Sequence, residues 1–317
     1  MTVTKLLLDT LTPIFAGLLL GYVAGRRGLM DNVNVRNLIV FVMNFAVPCA
    51  LFSTLIQSSR AVLQQHIAAS LVITFAYFAL YVISYFWARR FLRMHVSESS
   101  VLALTIGFPN AAAVALPLLT GAYGSNAAVT AALSLAIGSV TISPLTLALL
   151  EADKQSAGTG ISMRAVLQSF PQALARPVVW APAIALFGAY FDLHLPSFVT
   201  GTLTMLGNAA AGSALIVTGV VVSAQRFRFS LGVLFTTVAK LMVQPLLALG
   251  VMLLFRMRPT DIRDITVICA IPGGFFGVVF EKGFDETSET ASSGLIATYG
   301  VGCVTLTLWM LMLGKFF

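Results

Sequence analysis

Two short runs in this chain hold the residue types that can bind an anion without a formal charge. One is Gly107-Phe108-Pro109-Asn110, inside an apolar span from about Glu98 to Thr120. The other is Ile271-Pro272-Gly273-Gly274, inside a span from about Arg263 to Lys282. Proline lacks a backbone N–H and clashes with the preceding turn, so each span is expected to break near its centre. After a break a new half-helix begins, and its first N–H groups find no partner within the helix. Such an end carries a partial positive charge suited to a carboxylate. Asn110 adds two amide donors and one acceptor, while Gly273 and Gly274 would let a ligand approach bare backbone. At 1.5 Å per residue Asn110 lies about 18 Å along its span and Pro272 about 15 Å along its own, both close to a bilayer midplane. Paired interruptions in corresponding spans point to a transporter's substrate site. The plain alternative is two proline kinks in packed membrane helices.

Other candidates are single residues. Lys240 is the one basic residue deep in an apolar span; a buried cation is costly and by default marks a functional site. It could neutralise a substrate carboxylate or stand in for a coupling cation, or simply contact backbone carbonyls and Gln244 one turn on. Asn44 and Asn208 occupy equivalent positions in two halves of the chain, with Ser53, Thr54, Ser213 and Thr218 nearby; Asn44 is the substrate candidate, and interhelical bonding is the plain role for the rest. Ser139, Thr141 and Ser143 recur before Pro144 and could form an ion site, or satisfy a helix bend. Gly17, Gly21 and Gly25 read as a packing face. No carboxylate sits at a span centre to carry a proton. There is no H-E-x-x-H and no G-x-S-x-G, and His66, His95 and His194 fall near loops, so an enzyme is not expected.

The elements that must position these residues follow from composition. The 317 residues are 58% hydrophobic and 10% charged, with a mean hydropathy of +0.93; soluble domains carry about 25% charged residues. The formal charge of +7 is scattered between apolar runs, as topology determinants are, and does not indicate nucleic acid. Cys49, Cys269 and Cys303 lie in apolar runs as free thiols. No cleavable signal is expected, because Asp9 interrupts the first apolar run. About ten spans can be drawn, roughly at 5–25, 34–57, 67–88, 98–120, 127–150, 174–192, 197–224, 230–255, 262–283 and 291–315. Of the 19 Lys and Arg residues, twelve lie in loops after odd-numbered spans and six on the opposite face, Lys240 being the other one. The positive-inside rule then places both termini outside. The fold expected is an all-α polytopic membrane protein, ten helices in two inverted five-span repeats (1–150 and 171–317) joined by a cytoplasmic linker (151–170). Met43–Leu51 aligns without gaps on Gly207–Leu215, and the broken spans, four and nine, correspond across the repeat.

The chain resembles the auxin efflux carrier family, which includes plant auxin exporters and bacterial malonate and malate carriers. The resemblance is carried by Phe108-Pro109-Asn110-Ala111-Ala112-Ala113-Val114-Ala115-Leu116-Pro117-Leu118-Leu119, by Ala270-Ile271-Pro272-Gly273-Gly274-Phe275-Phe276-Gly277 and by Lys240-Leu241-Met242-Val243-Gln244-Pro245-Leu246-Leu247. It covers essentially the whole chain, with Ala115 standing where the family pattern often has glycine. It implies a scaffold domain of spans 1, 2, 6 and 7 and a transport domain of spans 3–5 and 8–10, with spans four and nine crossing at the substrate site. It also implies substrate contacts at Pro109, Asn110, Ala111, Pro117, Pro272, Gly273, Gly274 and Phe275, and a homodimer.

The function expected is secondary transport of a small organic anion, most closely a dicarboxylate such as malonate or malate, by an elevator-like motion in the bacterial inner membrane. No cofactor is expected, and Na⁺ or H⁺ remains open as coupling ion. A second reading is a sodium-coupled carrier of a bulkier amphipathic carboxylate; a third is a transporter-like ligand receptor.

Overall fold

The computed structural model describes residues 3–156, 167, 171, 174–274, 276, 277, 280 and 288–316, with backbone alone for 3–11, 155, 156 and 316. Every regular element among them is helical: α1 (Val3–Arg26), α2 (Arg36–Ile56), α3 (Arg60–Gln65), α4 (Ile67–Phe91), α5 (Val96–Gly107), α6 (Ala111–Tyr123), α7 (Ser125–Val140), α8 (Ile142–Ser156), α9 (Pro177–Tyr190), α10 (Ser197–Ala224), α11 (Leu231–Leu254), α12 (Pro259–Ala270) and α13 (Glu289–Phe316). Six helices among the described residues are long and apolar enough to cross a membrane: α2, α4, α7 continued into α8, α10, α11 and α13. The expected fourth span is two short apolar helices, α5 and α6, and the sixth is reduced to α9. The start of the expected linker, 151–156, is the end of α8, and most of the remainder falls outside the described residues.

Interior prolines shape several of these helices. The π turns Val42–Ala46, Ala111–Ala115 and Ala239–Val243 each end two residues before a proline, Pro48, Pro117 and Pro245. Proline gives no N–H and its ring presses on the carbonyl four residues back, so the chain takes a wider turn. At Pro245 that carbonyl belongs to Leu241, and the Trp309 indole N–H of α13 donates to it at 3.0 Å. Ahead of Pro144 the same strain separates α7 from α8 at Thr141 (φ −103°, ψ −80°).

Packing follows from small residues and apolar stripes. A Cβ on Gly21 would lie 2.2 Å from the Ile216 carbonyl oxygen, and one on Gly219 2.2 Å from that of Leu18. The glycine stripe of α1 is therefore the face on which α1 and α10 touch backbone to backbone. α2 packs against α9 and α10, α4 against α5, and α11 against α12 and α13. Large apolar side chains such as Phe75, Phe86, Phe187, Leu254 and Val304 are exposed around the bundle, as a lipid-facing surface requires.

The two ends differ in polar contacts. At one end Arg60 lies over the Tyr190 ring and Arg263 over that of Tyr123, 4.6 and 3.9 Å from the centroids. Arg258 there pairs with Asp261 at 2.8 Å, and Arg263 pairs with Asp264 at 2.8 Å. These two carboxylates are buried in the first turns of α12, where an acidic group suits the helix N-terminus. At the other end Asn32 donates to Ser223 at 3.0 Å, Ser97 bonds Asp153, and Arg228 pairs with Glu289 at 3.0 Å.

Candidate functional site

The chain leaves helical geometry between α5 and α6 and again after α12, and the two breaks meet. The Asn110 N–H donates to the Pro272 carbonyl at 3.0 Å, and the Gly274 N–H donates to the Phe108 carbonyl at 2.7 Å. Pro109 is thereby paired antiparallel with Gly273. The donors lie just past each proline, since the prolines have none to give. Phe108, Pro109, Asn110 and residues 271–274 are all buried. Each break thus satisfies backbone groups that the other sets free, which is what non-helical chain at membrane depth requires.

The glycines of the second break serve this contact. A Cβ on Gly273 would lie 2.5 Å from the Thr105 carbonyl oxygen, and one on Gly274 2.8 Å from that of Phe108. The space expected for a ligand is filled by α5 and its continuation, so these glycines admit a neighbouring backbone instead. The Gly273 N–H donates to Thr298 Oγ1 at 3.3 Å. Pro272 packs close enough to α13 that a Cβ on Gly302 would stand 2.7 Å from its ring.

Asn110 is fully buried and its amide is engaged on both sides. Its Oδ1 accepts from the Ala113 N–H at 3.3 Å, capping the start of α6. Its Nδ2 donates to Tyr299 Oη at 2.5 Å and to Thr218 Oγ1 at 3.5 Å. Asn110 therefore ties α6 to α13 and α10. Tyr299 and Thr298 were not among the candidates from sequence. Their adjacency near the middle of the span is the one signal, and Ser292, Ser293, Thr305 and Thr307 on the same helix blunt it.

Lys240 lies beside the C-terminal ends of α5 and α12, ahead of the two breaks. It is fully buried, and its Nζ donates to the Cys269 carbonyl at 3.2 Å and to Gln244 Oε1. Gln244 Nε2 in turn donates to the Gly107 carbonyl at 2.7 Å. Cys269 and Gly107 stand in the last turns of α12 and α5, where carbonyls lack intrahelical donors. Of the roles open from sequence, the structure displays the contact with Gln244 and backbone carbonyls.

A cavity of about 400 Å³ opens beside α6. Its walls are Ala50, Ser53 and Thr54 of α2, Ala112, Leu116, Pro117, Thr120 and Gly121 of α6, and Gly207, Asn208, Ala210 and Ala211 of α10. Among the described residues that line it none is charged. Ala112 belongs to the first turn of α6, two residues past Asn110, so the cavity ends on a helix N-terminus.

The family model described as membrane transport protein matches residues 6–310. The chain belongs to this family. It is the auxin efflux carrier family to which the three motifs point. The chain is 27% identical over 303 residues to the uncharacterized transporter YfdV of Escherichia coli K12, covering 95% of both chains. The same identity and coverage hold for YfdV of Shigella flexneri. An uncharacterized transporter of Methanothermobacter thermautotrophicus is 23% identical over 308 residues, covering 96% of this chain and 98% of its own. With six apolar helices of spanning length among the described residues, this is an integral membrane transport protein, and the family and the relatives are transporters.

The remaining candidates of this membrane transport protein divide. Pro117 lines the cavity, and Ala111 is buried in the first turn of α6. Asn44 is exposed on α2 and is not among the residues that line the cavity, whereas its repeat mate Asn208 is. Ser139 and Ser143 are buried with no hydrogen-bond partner for Oγ among the described residues, while Thr141 Oγ1 donates to the Ile137 carbonyl at 2.6 Å. Phe275 lies outside the described residues.

Proposed function

We propose that this chain is a secondary transporter of an organic anion, which holds its ligand's carboxylate at the N-terminus of α6 and its body in the cavity between α2, α6 and α10. The observation that carries this reading is the cavity ending on Ala112, in the first turn after a helix break. The Pro109 carbonyl accepts from the Ala111 N–H and Asn110 Oδ1 from that of Ala113, so the end draws an anion chiefly through its aligned peptide dipoles. The surrounding alanines, glycines and hydroxyls leave room for an apolar body with few polar groups, the usual composition of a small-molecule pocket.

The same lining bears on the choice between a dicarboxylate, such as malonate or malate, and a bulkier amphipathic acid. One helix N-terminus compensates about half an elementary charge. A second carboxylate would meet no Lys or Arg among the described lining residues, and Lys240 is turned to helix C-termini. The geometry favours a ligand with a single carboxylate on an apolar body.

In this reading ten spans form two inverted five-span repeats whose broken members, α5–α6 and α12 with its continuation, cross at the site. The scaffold is α1, α2, α9 and α10, and the crossed helices move against it as an elevator. The support is that α1 packs most heavily on α10, and α2 on α9 and α10, while α6 meets α1 and α10, and α7 meets α2 and α9, by smaller contacts. The excess of Lys and Arg at the Arg228 end supports a cytoplasmic assignment for that end.

The test is thermal unfolding of the purified protein against mono- and dicarboxylates, with the same acids offered to proteoliposomes. Binding to the folded state raises stability by RT ln(1 + [L]/Kd). An amphipathic monocarboxylate should stabilise the protein and be taken up, and Ala211→Leu, which fills the cavity, should abolish both. Stabilisation without uptake would convert the reading to a receptor. Stabilisation by malonate or malate alone would restore the dicarboxylate, and a shift untouched by Ala211→Leu would remove the cavity from the site.

A further inference from the structure

We propose that the cleft between α4 and α11 binds one anionic phospholipid, with an acyl chain in the cleft and the phosphate at Arg256. The cleft has a volume of about 460 Å³, within the range of small-molecule pockets. Ala68, Leu71 and Phe75 of α4 form one wall, and Val251, Phe255 and Met257 at the end of α11 form the other; every described residue that lines it is apolar. Leu71, Phe75 and Phe255 are at least half exposed, so the cleft opens on the lipid-facing surface. Residues 68 to 75 cover about 10 Å of helix at 1.5 Å per residue, against roughly 15 Å of hydrocarbon in one leaflet. The cleft shares no lining residue with the cavity beside α6, so it stands or falls separately from the transported ligand.

The mouth of the cleft is polar and carries one arginine in excess. Arg258, next after Met257, donates to the Gln65 carbonyl at 2.8 Å, three residues before Ala68, and pairs with Asp261. Of the four arginines at this end, Arg60 lies over Tyr190, Arg258 pairs with Asp261 and Arg263 with Asp264. Arg256 stands exposed between Phe255 and Met257 and has no side-chain partner among the described residues. It also holds a place that glycine ordinarily takes. Its φ is 49°, and the Met257 N–H closes back on the Met252 carbonyl at 3.0 Å, as in the glycine turn that ends many helices. A side chain is disfavoured there, so the turn itself gives no reason for an arginine. Arg93 and Asp192 share the conformation; what sets Arg256 apart is the apolar cleft wall on both sides of it. A phospholipid matches both parts, since guanidinium pairs closely with phosphate oxygens. A zwitterionic headgroup would bring its own cation to the same place, which favours an anionic one.

The experiment is thermal unfolding of the purified full chain in a nonionic detergent, titrated with phosphatidylglycerol or with phosphatidylcholine of the same acyl chains, alongside native mass spectrometry. Wild type should bind phosphatidylglycerol about fivefold more tightly, the contribution of one arginine at an anionic lipid surface, and the difference should shrink in high salt. Arg256→Gly relieves the left-handed turn, so it should melt no lower than wild type without lipid while losing the preference; Arg256→Gln should lose it as well. Ala68→Phe, which fills the cleft from an exposed position, should weaken binding of both lipids. Equal affinities in wild type would overturn the proposal, as would a preference that survives in both Arg256 variants or lipid binding unchanged by Ala68→Phe. A dimer in the mass spectrum of wild type that Ala68→Phe dissolves would assign the cleft to a second copy of the chain instead.

Discussion

The two breaks make the same backbone contact with different residues. At 108–110 the chain carries Asn110, whose side chain caps α6 and reaches Tyr299 and Thr218. At 271–274 it carries two glycines with no side chains, and these are what let the backbones close to hydrogen-bonding distance. A pair of N–H to carbonyl bonds between two unwound segments needs one partner thin enough to approach and one able to hold its own start in place. The two breaks divide those duties between them. Symmetry of the breaks therefore does not extend to symmetry of the residues in them, and neither is interchangeable with the other.

The sharpest way to break that comparison is Gly273→Ala. The added Cβ meets the Thr105 carbonyl oxygen at 2.5 Å, a backbone atom that cannot rotate away. The expected cost is about 3 kcal/mol, seen as loss of folded, monodisperse protein in detergent; a variant that melts with wild type would show that the breaks are not held in contact. Next in size is Asn110→Ala, which removes the cap of α6 and leaves the Tyr299 hydroxyl without its donor, at about 2 kcal/mol. Tyr299→Phe separates the two parts, because it keeps the cap and loses only the bond to Nδ2, at about 1 kcal/mol. Equal melting temperatures for Asn110→Ala and wild type would remove Asn110 from the structural account. The smallest effect on stability belongs to Asn208→Ala and Asn44→Ala, both exposed and both expected within about 0.5 kcal/mol of wild type. They should differ in ligand binding, with a weakened monocarboxylate-induced shift for Asn208→Ala and none for Asn44→Ala, and equal behaviour would discard the cavity as drawn.

Much of the architecture was legible because it rests on local chemistry. Pro109 and Pro272 interrupt their spans where expected, whereas the wide turns ahead of Pro117 and Pro245 came to light only in the structure, and Pro13 and Pro182 stay inside their helices. The glycines at 17, 21 and 25 repeat every fourth residue and so share one helix face, which the structure packs against α10. The role of Gly273 and Gly274 was misread, since a missing Cβ serves a ligand and a neighbouring backbone equally well, and only the position of Thr105 decides between them. In the sequence, the gapless alignment makes Asn44 and Asn208 equivalent, so it offers no ground for preferring one. In the folded chain α2 and α10 present different faces to α6, and the equivalence is lost. Nothing local marks Tyr299 and Thr298. Thr298 donates to the Leu295 carbonyl of its own preceding turn, as such hydroxyls ordinarily do. Its bond from Gly273, and that of Tyr299 from Asn110, 189 residues away, depend on the tertiary fold.

By itself the sequence determined that the chain lives in a membrane, that its helices break at particular prolines and that it shares the auxin efflux carrier motifs, since hydropathy, the missing N–H of proline and motif spacing are properties of the chain alone. The tertiary structure alone decided what each break touches: that Asn110 turns to Tyr299, that Lys240 turns to the ends of α5 and α12, and that the open space lies beside Ala112. Those outcomes depend on which orphaned donors and acceptors from distant segments are brought within about 3 Å of one another, and periodicity along one chain holds no record of that.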